Sequence, residues 1–236
     1  MRRYLPSSLV ALVIASGVFQ PAEAVIIQYN SRATFDALGP YIPVDWSVFG
    51  PAGTIISTPD SRIVDGLTVE VGSSQGVLAR HDEGTDYIGT FAVGDALLTD
   101  AGSLSDTFFV RFGSQVSGFG TQIDAHFIDG PFTGTVRVYS VSDALLFEAP
   151  FAGIHTLAED SSAPFVGVAS SVADISYATF WIDQPDFFPN EAGALAINRL
   201  DILVAQVPEP STLTLLLAGL LGLATIRRRK FSAQAR

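Results

Sequence analysis

The 236-residue chain carries 13 basic and 24 acidic residues and no cysteine, which excludes disulfides, thiolate metal sites and a thiol nucleophile. Seven of the basic residues lie in the two ends, so residues 25–205 keep six basic side chains against 22 acidic ones, a net charge of −16. A body that acidic repels phosphate backbones and excludes nucleic acid as a partner, while it can attract divalent cations such as Ca²⁺.

Arg2 and Arg3 precede the apolar stretch Leu9–Phe19, and Pro21-Ala22-Glu23-Ala24 follows it. About a dozen apolar residues are too few to span a bilayer comfortably. With small residues at the −3 and −1 positions, residues 1–24 read as a secretory signal peptide for the general secretion machinery, cut after Ala24.

Residues 25–205 form one domain by length. Residues 25–40 predict a short strand and one or two helical turns, capped at Asn30 or Ser31 and stopped by Gly39-Pro40. Beyond them the pattern is β. Phe108, Val110 and Phe112 alternate with Thr107, Phe109 and Arg111. Phe119, Thr121, Ile123, Ala125 and Phe127 share one face of the next run, and Val136 and Val138 oppose Arg137 and Tyr139 after it. Ala194–Val204 predicts a closing strand with Leu200, Ile202 and Val204 on one face and Arg199, Asp201 and Leu203 on the other. Period-two alternation between Gly- and Pro-rich intervals, with no helix-length amphipathic run, predicts an all-β antiparallel sandwich of the jelly-roll kind. The 17 phenylalanines supply much of its core.

Three constellations carry candidate chemistry. Gly72-Ser73-Ser74-Gln75-Gly76 fits the G-x-S-x-G nucleophile pattern with Ser74 at its centre. The pattern needs a packed helix after it, and Val77–Gly84 is too short for one, so a turn between strands is expected. His81-Asp82-Glu83 with Asp86 is the densest polar cluster; Asp82, Glu83 and Asp86 could ligate Ca²⁺ through oxygen, against the alternative of a solvated loop. His126 and His155 show no ligand spacing and read as structural. Trp46, Tyr177, Trp181, Phe187 and Phe188 could line a sugar-binding face, and Trp181-Ile182-Asp183 pairs an aromatic with a carboxylate as a glycan contact would, with Trp181 and Asp183 as ligand residues.

The tail, residues 206–236, holds Val207-Pro208-Glu209-Pro210-Ser211, the apolar run Thr212–Ile226 and the cluster Arg227-Arg228-Arg229-Lys230. As a helix the apolar run reaches roughly 22 Å, short of the ~30 Å hydrocarbon core. It predicts a single short transmembrane helix whose basic end stays cytoplasmic, with the acidic body outside. Pro208, Glu209 and Pro210, the apolar helix and the closing Arg cluster resemble the PEP-CTERM sorting signal of Gram-negative bacteria. The resemblance implies an exosortase that cuts near Pro208-Glu209-Pro210 and passes an inner-membrane-anchored precursor on to the envelope or extracellular matrix. Two prolines suit that role, since they keep the segment out of helix and sheet.

The body is also similar to the β-sandwiches of many PEP-CTERM proteins, which look like galactose-binding jelly rolls. The residues concerned are Gly118-Phe119-Gly120, Val136-Arg137-Val138-Tyr139, Phe165-Val166-Gly167-Val168 and Ala196–Asp201, where Asn198 and Arg199 stand in place of a frequent Asp-Asn pair. The expectation is a non-enzymatic adhesion or glycan-contact module, with an exopolysaccharide as partner. The alternatives are a secreted hydrolase using Ser74 and a calcium-stabilised structural module.

Overall fold

The computed structural model describes residues 24–74, 76–100, 107–125, 129–183, 192–193 and 195–204. The signal peptide, the sorting tail with Pro208, Glu209, Pro210 and Arg227–Lys230, and His126, Phe127, Phe187 and Phe188 lie outside the described residues. Among the described residues no helix is long and apolar enough to cross a membrane.

The first strand, β1 (Ile26–Tyr29), leads into the one-turn helix α1 (Arg32–Asp36), with Ser31 at its N-cap. The helix ends at Asp36, before Gly39, and buries Phe35. Strand β2 (Tyr41–Val44) runs to a 3₁₀ turn, Trp46–Phe49, whose cap Asp45 accepts from the Ser47 N–H. Next come β3 (Ile55–Ser57), β4 (Asp60–Val64), β5 (Leu67–Ser73) and β6 (Val77–Asp82). Asp65 and Gly66 join β4 to β5 with φ of 47° and 83°. Both central residues at positive φ is the twist a two-residue hairpin demands, and Asp-Gly tolerates it best.

The chain continues through β7 (Ala96–Asp100), β8 (Phe108–Val116), β9 (Gly118–Ala125), β10 (Gly130–Tyr139) and β11 (Leu145–His155). It closes with β12 (Phe165–Ser170), β13 (Ile175–Asp183), β14 (Ala192–Gly193), β15 (Leu195–Ile197) and β16 (Leu200–Leu203). The expected closing strand is therefore two strands. Asn198 breaks it: its side chain takes hydrogen bonds from the Gln122 N–H (3.1 Å) and Arg32, and donates to Asp95 (2.9 Å) and Gln122 (2.8 Å). All four residues of β16 are buried, Asp201 included, so the expected polar face is absent there.

Among the described residues the strands form two antiparallel sheets. One orders β1-β12-β9-β15-β7-β6-β3, with β16 beside β9 and β2 beyond it; the other orders β11-β10-β13-β8-β5-β4, with β14 beside β13. The chain changes sheet repeatedly, at β3 to β4, β5 to β6, β7 to β8, β8 to β9, β9 to β10, β11 to β12, β12 to β13 and β14 to β15. These crossovers make the sandwich jelly-roll-like, as the strand pattern predicts. The core between the sheets is filled from both inner faces by Phe108, Val110, Phe112, Phe119, Ile123, Val136, Val138, Phe180 and Ile182. Phe119 meets Phe180 edge-on at 5.9 Å between ring centres, an arrangement aromatic quadrupoles favour.

Candidate functional site

The alternation that buries Val136, Val138, Ala178 and Phe180 sends their neighbours out on the other side of the seven-stranded sheet. Register then decides who meets whom. Tyr139 lies opposite Tyr177, Tyr177 opposite Arg111, and Arg111 opposite Glu70. The two tyrosine rings stack at 4.6 Å with 9° between planes. The Arg111 guanidinium lies 4.8 Å from the Tyr177 ring centre, and that of Arg137 lies 4.3 Å from the Trp181 ring. Glu148 pairs with Arg137 across the β10–β11 ladder, and Glu70 stands 3.6 Å from Arg111. Phe109 crosses to β5 and covers Gly72, where an added Cβ would sit 2.3 Å from the ring. Only glycine lets the ring lie that close to the sheet.

At one end of this aromatic row is a depression of about 270 Å³. Arg111, Gln115, Ser140, Asp143, Ser176 and Tyr177 line it. Burial and a hydrogen bond to Asp143 push the Tyr177 phenol above its usual range, so it stays neutral at physiological pH. The face thus offers flat rings, hydroxyls, two guanidinium groups and carboxylates on rigid strands. That combination packs against the apolar faces of sugar rings and hydrogen-bonds their edges.

Of the residues read from sequence, Tyr177 and Trp181 fall on this face together. Asp183 ends the same strand, and its side chain is not among those described. Trp46 does not join them. It is fully buried between the sheets and donates its Nε1–H to the Asn198 carbonyl at 2.6 Å, a core role. Phe109, Arg111, Arg137 and Tyr139 belong to the face too, and the alternation of β8 and β10 is the signal that places them.

Ser74 follows β5 in the turn that crosses to β6. Strand follows it rather than helix, so the surroundings of a nucleophile elbow are not built; its Oγ accepts from the Thr107 N–H at 3.3 Å.

The polar cluster is arranged differently from a solvated loop. Asp82 pairs with the buried Arg80, and Asp86 accepts from the Asp82 N–H at 2.7 Å and lies 3.0 Å from His81. Glu83 turns inward and is fully buried, with Oε1 taking the Gly89 N–H at 2.7 Å. Among the described residues no group of three or more His, Asp or Glu is placed to hold a metal ion. Burial, with Glu159 and Asp124 nearby, pushes the Glu83 carboxyl up to about 7.

Beside Glu83 is a buried assembly that sequence reasoning missed. Asp124, on what reads as the polar side of β9, is fully buried. Its Oδ2 accepts from His155 Nδ1 at 2.8 Å and from the Thr90 N–H at 3.0 Å. Tyr87 donates to the Ala125 carbonyl at 3.1 Å. Strand alternation gives no sign of it, because its partners come from a loop 34 residues upstream and a strand end 31 residues downstream. With side chains 0–3 % exposed, Asp124 and His155 hold the 83–92 loop against the sheet and present nothing to solvent.

Solved structures similar to the chain include a DUF4465 family protein from Bacteroides caccae, at 9 % identity, covering 70 % of this chain and 98 % of that one with a TM-score of 0.43. A family 6 carbohydrate-binding module aligns at 10 % identity over 65 % of this chain and 95 % of its own, TM-score 0.33. A structure containing CBM51-2 in complex with GlcNAc, from Clostridium perfringens ZmpB, aligns at 11 % identity over 64 % and 41 %, TM-score 0.33. Likeness at this level carries no function across. No curated protein matches the chain. The family describing the PEP-CTERM protein-sorting motif matches residues 206–230, which include Pro208-Glu209-Pro210 and the Arg227–Lys230 cluster. That motif implies exosortase as the processing partner and a membrane-anchored stage before processing. The chain is an exported protein bearing a PEP-CTERM sorting motif.

Proposed function

We propose that the β-sandwich is a non-enzymatic glycan-contact module of the Gram-negative envelope or extracellular matrix, delivered there by exosortase. It binds exopolysaccharide through the outer face of the seven-stranded sheet. The observation that carries this reading is the stacked Tyr139–Tyr177 pair, flanked by Arg111 and the depression at Asp143 and continued by Arg137 and Trp181. Half-buried rings fixed by cation–π and cross-strand contacts lose little freedom on binding, which favours affinity for a weakly hydrophobic ligand.

Retention on immobilised host exopolysaccharide tests it. The exported protein should be retarded, and Trp181→Ala and Tyr177→Ala should each weaken binding about tenfold, the loss of about 1.4 kcal/mol. Unchanged retention in both variants, with melting curves like the parent's, rejects this face as the contact surface.

A further inference from the structure

The depression at Tyr177 exists because the ladders on both sides of β13 are irregular there. Ile175 lies opposite Val116 and Tyr177 opposite Arg111, so residues 112–115 of β8 face Ser176 alone. They cannot all pair with it, and the ladder opens, as it does at bulges beside binding sites. Gly113 permits the detour, since an added Cβ would sit 2.7 Å from the Thr68 Cβ. On the far side of β13, β10 runs into a turn over residues 140–144. The Ser140 N–H donates to the Ala144 carbonyl at 3.0 Å, and the Asp143 N–H to the Ser140 carbonyl at 3.1 Å. The turn holds Asp143 at a φ of 60°, in the left-handed region that few side chains other than Asp and Asn adopt. Asp143 thus lines the depression from the β10 side and Arg111 from the β8 side.

These two are the charged side chains of the lining, and their signs are opposite. Each keeps hydrogen-bonding capacity. Glu70 approaches Arg111 at Nε, 3.6 Å away, which leaves the donors of the outer guanidinium fork for a ligand. Asp143 accepts from the Tyr177 hydroxyl, and an ionised carboxylate has lone pairs for more than one donor. Val141, 75 % exposed, adds an apolar wall. A substituent that uses all three must be neutral. An ammonium would meet Asp143 but also Arg111; a carboxylate would meet Arg111 but also Asp143, on a body of charge −16. A hydroxyl reaches one wall at a time. An amide carries its donor and its acceptor on separate atoms and spans both. We propose that the depression is the binding site for the acetamido group of an N-acetylated amino sugar, whose N–H donates to Asp143, whose carbonyl accepts from Arg111 and whose methyl packs on Val141. The proposal rests on the glycan reading above and names the sugar.

The hexamers of cellulose, chitin and chitosan share one backbone and differ only in the hydroxyl, acetamido or amino group on one carbon of each sugar. In calorimetric titrations of the exported protein, the chitin hexamer should bind about tenfold more tightly than either of the others, the gain that one or two well-placed hydrogen bonds bring. Asp143→Gly removes the carboxylate at a φ that glycine adopts freely, so the fold is kept, and it should erase the preference. Equal binding of the cellulose and chitin hexamers, or tightest binding of the chitosan hexamer, overturns the proposal while the glycan reading stands. A preference undiminished in Asp143→Gly takes the acetamido group out of this depression and overturns it too. Binding of none of the three also overturns it, and retention on host exopolysaccharide then decides the glycan reading separately.

Discussion

Glu83 is an acid whose place in the fold favours its protonated form. It is fully buried, its Oε1 is held by the Gly89 N–H, and Glu159 and Asp124 add negative potential. The folded carboxyl sits at about 7 against 4.5 unfolded, so the folded state holds its proton where the unfolded state has released it. The stability this confers is complete below pH 4.5 and is lost as pH rises toward 7. Glu83→Gln keeps an oxygen for Gly89 and removes the charge. At pH 8 it should melt about 2–4 °C above the parent, the shift that about 1 kcal/mol brings in a domain of this size; near pH 4.5 the two should coincide. Thermal melts across that range check both limits. His81-Asp82-Glu83 reads in sequence as uniformly solvated, and only three-dimensional placement separates its members. Asp82 finds Arg80 two residues away, whereas Glu83 is rotated to the interior because the chain leaves β6 there and bridges to Tyr87. Trp46 misleads for a related reason. Sequence does not separate a ring free to stack on a sugar from one in the core, and the carbonyl of Asn198, 152 residues away, supplies its indole N–H with an acceptor inside the core.

Helix α1 is too short to be stable from its backbone alone, and its N-cap side chain makes no capping hydrogen bond. It is held by what it touches. Phe35 packs against Phe165 at 5.7 Å, and Arg32 reaches Asp201 of β16, which also pairs with Arg199 at 2.9 Å. Burial pushes the Asp201 carboxyl up and the two arginines pull it back. Arg32→Ala leaves that fully buried carboxylate with one cation, and should cost about 1–3 kcal/mol in a denaturant titration. Arg32→Lys should recover part of it, since one ammonium can approach Asp201 but cannot also reach Asn198 as the guanidinium does at 3.1 Å. The strands were legible from sequence wherever one face is buried and one is not: β10 follows its alternation throughout and β8 does so from Phe108 to Phe112. Legibility ended where both faces are covered. On β16 the outer side lies under α1, so Asp201 and Leu203 are as buried as Leu200 and Ile202. The β15–β16 break is invisible for a further reason, since it depends on the hydrogen bonds of one asparagine to Gln122, Asp95 and Arg32.

For the whole molecule, net charge sets the response to salt. A body of −16 gains stability from any cation that relieves self-repulsion. Asp82 is occupied by Arg80, Asp86 by the Asp82 N–H and His81, and Glu83 faces inward. Calcium should therefore raise the melting temperature of the exported protein no further than sodium at equal ionic strength; an excess rise that a chelator reverses would restore an oxygen-ligand site at this loop. The sandwich is also closed by its extremities. Ile26 pairs with Ser170, and Tyr41 with Leu203, so β1 and β2 lack their partners until the last strands have been delivered. Pairings between such distant residues are slow to form, on a scale of milliseconds to seconds. The nine-stranded sheet therefore closes last, whereas every strand of the seven-stranded sheet precedes residue 194. The order in which its strands meet makes late closure of that one sheet a property of the topology, so a chain made from its N-terminus holds β2 without its partner until β16 is available.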